Sequence, residues 1–124
     1  MKSEFKEGLT IYKQIALNLE TGILEGELVA GDRLPSLRES AVDMEVNINT
    51  IMRGYNLLEE EGILAKKRGL GFYVTKDALE IIRKKRRGMF YEETVPELFK
   101  TMKRLNISLD DLARALKKQE KQEE

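Results

Sequence analysis

Residues Asp32 to Gly62, reading DRLPSLRESAVDMEVNINTIMRGYNLLEEEG, constrain the fold more than any other stretch, because they hold two short helical stripes. Leu37, Ala41 and Met44 recur at spacings of four and then three residues. After an interruption at Glu45–Asn47, Ile51, Tyr55 and Leu58 do the same. Each stripe has its own start signal. Ser36 precedes Glu39 by three residues, the capping-box spacing in which each side chain satisfies the other's free backbone N–H. Asn47 is a good N-cap for the second helix and Gly62 a good stop. Two short helices across a tight turn make a helix-turn-helix, whose second helix can enter a DNA major groove, although the pattern also fits an ordinary helical hairpin.

The flanking sequence builds outward from this core. Ile11, Ile15, Leu19 and Ile23 form a stripe that predicts a first helix over Ile11–Glu25, lying across the other two; residues 1–10 carry no period and read as a loose arm. Ile63–Ala65 and Phe72–Thr75 read as two strands around a basic tip, Lys66-Lys67-Arg68-Gly69-Leu70-Gly71. Behind a helix-turn-helix such a hairpin is a wing. Lys66, Lys67 and Arg68 could grip phosphates, and Gly69 and Gly71 permit close backbone approach; the alternative is a solvated turn. Leu79 and Ile82 then open a helix that runs into Arg83-Lys84-Lys85-Arg86-Arg87 and stops at Gly88. The basic run suits DNA phosphates, a membrane surface or only a solvated helix end. Thr94 with Glu97 and Ser108 with Asp111 are two more capping-box spacings, followed by Val95, Leu98, Met102 and Leu105, and by Leu109, Leu112 and Leu116. The fold class is therefore mostly α with a small β-hairpin wing: a winged helix-turn-helix domain over 1–76 and a short helical dimerisation appendage over 77–124. Amphipathic helices this short bury their apolar stripes best against a second copy, so Leu98, Met102, Leu105, Leu109, Leu112 and Leu116 are the expected dimer contacts.

Composition narrows the chemistry. Among 124 residues there is no histidine and no cysteine, which removes the commonest general base, the commonest metal ligand and any disulfide framework. An enzyme is disfavoured, no metal or cofactor is implied, and a cytoplasmic protein without membrane insertion or signal peptide is expected. Net charge is zero but unevenly placed: residues 1–62 hold 6 basic and 12 acidic side chains, and residues 63–124 hold 16 basic and 10 acidic. DNA binding must rest on a few well-placed cations and on the basic segments after Leu64.

The stretch Thr10–Val74 resembles the N-terminal domain of the GntR family of bacterial transcription regulators. The matching pieces are Tyr12-Lys13-Gln14-Ile15, Gly22–Gly26, Gly31–Glu39, Val46–Thr50, Arg53-Gly54-Tyr55 and Leu58–Gly62, in the family's order and spacing. The short helical remainder is similar to the YtrA-like branch, which lacks a large effector domain. The resemblance implies that Arg38 contacts DNA, with Ser36 near the phosphates, and that Asn47, Asn49, Thr50 and Arg53 meet base edges and phosphates from the outward start of the recognition helix. Asn can pair with adenine, and Thr can offer a methyl to thymine or a hydroxyl to phosphate. For Ser36 and Asn47 a capping role competes with DNA contact. Four positions depart from the family: Ala30 and Ile48 replace proline, Glu45 replaces the glycine of the turn, and Gly54 replaces alanine. A positive φ at Glu45 would carry strain, and Gly54 should cost only a little helix stability.

The expected function is sequence-specific binding of an inverted-repeat, double-stranded DNA operator by a homodimeric transcription regulator, which the family resemblance implies is a repressor. The competing reading is a winged-helix protein-interaction module without specific DNA binding. The appendage is too small to enclose a sizeable ligand pocket, so a small-molecule effector would be small or bind between subunits.

Overall fold

The computed structural model describes residues 10–123, so most of the expected arm lies outside the described residues. Helix α1 (Ile11–Leu24) is followed by α2 (Leu37–Met44), α3 (Ile48–Glu60), strands β1 (Leu64–Lys67) and β2 (Gly71–Val74), α4 (Ala78–Met89), a π-helical turn (Phe90–Thr94), α5 (Val95–Leu105) and α6 (Leu109–Glu123). The chain divides into two compact units between Lys85 and Arg86, within α4. The first part of α4 therefore belongs with the N-terminal unit, where Ala78 and Ile82 are buried in the core.

In that unit the stripes read from the sequence meet. Ile15, Ala16 and Ile23 of α1 pack with Ile51, Tyr55 and Leu58 of α3, and Leu34, Ile63, Leu64, Phe72 and Val74 close the core. Gly54 has a larger part than helix propensity suggests. A Cβ there would stand 3.0 Å from the Tyr12 carbonyl oxygen and 3.3 Å from an Ile15 methyl carbon, so glycine is what lets α1 cross α3 so closely. Helix α3 ends in a Schellman motif, with the Ile63 N–H donating to the Leu58 carbonyl (2.9 Å) and the Gly62 N–H to the Glu59 carbonyl (3.0 Å).

The hairpin pairs Leu64 with Val74 through Lys67 with Gly71, antiparallel. Its second strand is paired on both edges. Arg33 bridges Tyr73. The Leu34 N–H donates to the Phe72 carbonyl and the Val74 N–H to the Asp32 carbonyl, both at 2.9 Å. Long-range pairing of this kind leaves no periodic trace in residues 31–34.

The turn between α2 and α3 places Glu45 in the left-handed region, φ 56° and ψ 44°. A Cβ in this conformation is crowded by the following carbonyl. Glu45→Gly is expected to raise stability by about 1 kcal/mol, the usual gain when that crowding is relieved. An unchanged urea midpoint would show that the turn carries no strain.

The C-terminal unit corrects two sequence expectations. Gly88 does not stop the helix, which runs on through the π-helical turn into α5; one glycine costs only about 1 kcal/mol in a helix interior. Thr94 does not cap a new helix. Its backbone is already helical, φ −70° and ψ −46°, and its side chain makes no capping bond. Pro96 instead explains the local geometry: it has no N–H, and its ring would press on the Glu92 carbonyl in a regular helix. The wider turn, in which the Val95 N–H reaches the Phe90 carbonyl, relieves that clash. Ser108 and Asp111 do form the expected capping box at the start of α6, at 2.9 and 3.1 Å.

Candidate nucleic-acid interface

Polar bonds within the helix-turn-helix open its first helix and tie the two helices together. At the start of α2, the Ser36 hydroxyl accepts the Glu39 N–H (3.0 Å) and the Glu39 carboxylate accepts the Ser36 N–H (3.1 Å). Those bonds from the Ser36 backbone and side chain hold the Glu39 carboxyl below the usual carboxylate range, with a smaller pull from the Arg33 charge. Tyr55 of α3 donates its hydroxyl proton to the Pro35 carbonyl (3.2 Å) and lies 2.8 Å from the buried Ser40 hydroxyl of α2. Burial raises the Tyr55 pKa, with Ser40 pulling partly the other way. The Tyr55 ring also meets Phe72 of the wing edge-on, centroids 5.2 Å apart. One side chain therefore joins both helices and the hairpin.

On this frame the start of α3 is outward. The Asn47 side chain accepts the Asn49 N–H at 2.8 Å, which commits its oxygen to capping and leaves its amide donors. Asn49 and Arg53 are exposed one turn apart on the same face, and Thr50 is half-buried beside them. The Arg53 guanidinium carbon stands 4.1 Å from the centroid of the Tyr12 ring. Arg38 is exposed on α2, while Ser36 has its hydroxyl engaged in the capping box.

The wing differs from its sequence reading. Lys66 and Lys67 lie within β1 rather than at the tip, so their side chains leave opposite faces of the hairpin. Lys66 Nζ stands 5.8 Å from the centroid of the Phe72 ring, and Lys67 Nζ stands 4.3 Å from the centroid of Tyr73. The turn itself is Arg68-Gly69-Leu70, closed by the Leu70 N–H donating to the Lys67 carbonyl at 2.9 Å. Gly69 takes φ 74° there, the positive value that the third position of a type II turn requires, and Gly71 takes φ 98°. Arg68 is thus the turn's own cation, with the apolar Leu70 exposed beside it.

Three residues at this surface were missed in the sequence. Arg33, on the segment paired with β2, shares a cleft of about 210 Å³ with Ser36, Met52, Asn56, Lys66 and Gly71. Met52 and Asn56 follow Asn49 at three and seven residues on the outward face of α3, a spacing that could have found them; Arg33 needed the tertiary pairing.

The basic run on α4 is not uniform. Lys85 bonds to the buried Glu20 of α1 and, at 2.6 Å, to Glu61, while Arg83, Lys84 and Arg87 are exposed. In the C-terminal unit the expected apolar contacts divide. Leu98, Leu105, Leu109 and Leu116 are exposed and Leu112 is half-buried, but Met102 is only 7% exposed and offers little to a partner. Met89, Phe90, Tyr91 and Phe99 add exposed apolar surface that sequence spacing did not reveal. No helix among the described residues is long and apolar enough to cross a membrane.

Residues 11–74 match the family of bacterial regulatory proteins described as the gntR family. The chain is 33% identical over 117 residues to YhcF of Bacillus subtilis, an uncharacterised HTH-type transcriptional regulator, covering 94% of this chain and 95% of that one. It is 41% identical over 68 residues to the HTH-type transcriptional repressor YtrA of the same organism, covering 55% of this chain and 52% of YtrA. A solved GntR family transcriptional regulator from Listeria monocytogenes superposes with a TM-score of 0.74 at 36% identity, covering 92% of this chain and 98% of that one.

Proposed function

Because the chain belongs to the gntR family of bacterial regulatory proteins and is a DNA-binding transcription regulator, we propose that it is a cytoplasmic repressor that binds an inverted-repeat operator as a homodimer. The observation that carries the reading is the outward start of α3, where Asn49, Thr50 and Arg53 sit on a helix whose N-cap is already satisfied. Their polar groups need no rearrangement to meet base edges in a major groove. Arg38, the Asn47 amide, Lys66, Lys67 and Arg68, with Gly69 and Gly71 letting the wing backbone approach, then bind phosphates and set register. Ser36 serves chiefly as the cap of α2. The two acidic residues at the end of α3, Glu59 and Glu60, are exposed, which keeps that end away from phosphate. The repressor role and the dimer rest on likeness to the YtrA-like branch, and the dimer also on exposed Leu98, Leu105, Leu109 and Leu116. Within each chain the DNA-binding domain is expected over 1–76 and the dimerisation region over 77–124, although the first turns of α4 pack with the N-terminal unit. A small-molecule effector would be small or would bind between subunits.

Selection of bound duplexes from a random pool tests the reading directly. Enrichment of an inverted repeat is the expected result; no enrichment at moderate salt would favour a protein-interaction module. With the selected duplex, Arg53→Ala and Arg38→Ala are each expected to weaken specific binding by about 1–3 kcal/mol without altering the fold. Wild-type affinity in an anisotropy titration would remove that residue from the interface. For the dimer, Leu116→Asp is a cleaner probe than a change at half-buried Leu112, because it should leave the single chain intact. Light scattering is expected to show a monomer, and a dimer mass would refute the interface.

A further inference from the structure

We propose that Tyr12 of α1 is a positioning residue that presents Arg53 to DNA. The inference rests on the reading of Arg53 as a DNA contact. Tyr12 is half-buried, and its ring lies under the exposed Arg53 guanidinium at 4.1 Å from centroid to guanidinium carbon. Among the described residues no carboxylate pairs with Arg53, and its guanidinium meets the Tyr12 ring instead. The approach is built into the backbone. Gly54, next to Arg53, lets the Tyr12 carbonyl come within 3.0 Å of where a Cβ would stand, which fixes the ring of α1 against the outer face of α3.

The chemistry favours this arrangement over an ion pair. A planar guanidinium stacked on an aromatic face is attracted by the ring while its N–H groups stay directed around its edge, free for a phosphate or a guanine. A carboxylate would occupy those donors and would have to be displaced on binding. An unsupported arginine would lose its rotamer freedom when DNA binds; a stacked one has lost much of it already. Asn56, Leu57 and Glu60 flank the pair in a shallow depression, and Arg53 remains exposed there.

The test uses the full-length protein and the fluorescein-labelled duplex recovered by selection. Tyr12→Leu is expected to weaken binding about 3- to 10-fold, the range of a partly desolvated cation–π contact. The dependence of affinity on salt should stay unchanged, because no charge is removed. Tyr12→Phe keeps the ring and should bind within about two-fold of wild type. In an Arg53→Ala background, Tyr12→Leu should have no further effect. Arg53→Lys, at an exposed site that cannot disturb the core, should keep the salt dependence and still lose affinity, since an ammonium does not present a planar fork. Wild-type affinity for Tyr12→Leu, or equal losses in both backgrounds, would overturn the positioning role while leaving Arg53 in the interface. Wild-type affinity for Arg53→Ala would instead remove the reading on which the role rests.

Discussion

Tyr55→Ala is expected to destabilise the protein by about 3–5 kcal/mol, the range for deleting a large aromatic side chain from a core. The ring is 1% exposed, packs edge-on against Phe72, and its hydroxyl joins α3 to Ser40 and to the Pro35 carbonyl. Alanine removes the packing and leaves the buried Ser40 hydroxyl without its partner in α3. Tyr55→Phe separates the two contributions: it keeps the ring and should cost about 1 kcal/mol, the net worth of the lost hydrogen bonding. Urea midpoints of the two variants should therefore be well apart. If they coincide, the hydroxyl bonds and not the ring hold the helix-turn-helix together. Because the same side chain fixes the angle between α2 and α3, Tyr55→Phe should also loosen operator binding more than its small stability cost would suggest.

Lys85→Met is expected to cost about 3 kcal/mol, the low end for breaking a buried ion pair, because a third of the lysine side chain is exposed. Glu20 is buried, with 2% of its side chain accessible, and Glu61 lies on the other side of the ammonium. Removing the cation leaves two carboxylates facing a methionine. Burial opposes the charge on Lys85, but the hydrogen bonds to Glu20 and Glu61 outweigh it and hold its pKa above the ordinary value of 10.5. The sign follows. A folded-state pKa above the unfolded one stabilises fully below the unfolded pKa, and the contribution is lost as pH rises through the folded value. Tyr55, also raised, acts in the same direction. Wild-type stability should thus be insensitive to these two groups through neutral pH and fall above about pH 10. The Lys85→Met deficit should shrink over the same alkaline range. A deficit that persists undiminished there would show that packing of the lysine stem, and not its charge, is what the variant loses.

These two residues also show how differently the chain discloses itself. Tyr55 stood on a helical stripe with Ile51 and Leu58, so its place in the core was legible from spacing alone. Lys85 stood in a run of five basic residues, and nothing local distinguishes it from Arg83 or Lys84. Its role depends on Glu20 and Glu61, which are distant in sequence and adjacent only after α1, α3 and α4 have packed. The wing divides in the same way. A hairpin with a glycine-bearing turn could be read directly, but strand alternation within β1 sent Lys66 and Lys67 to opposite faces. The three neighbouring cations are therefore spread over both faces and the turn of the wing. At Gly88 and Thr94 local signals misled, because a single glycine and a capping-box spacing are each weaker than the continuing helix, and Pro96 was accommodated by a π-helical turn.

What the sequence by itself determined was the set of elements and the residue types on each face: periodicity and caps act within a turn or two of helix, and they specify the helix-turn-helix and its outward polar start. What only the tertiary structure decided was which side chains meet across elements. The stack of Tyr12 on Arg53, the pairing of residues 31–34 with β2, and the engagement of Lys85 all join positions far apart in the chain. Their geometry is set by how closely backbones can approach, as at Gly54, and such distances are properties of packing, which no local pattern encodes.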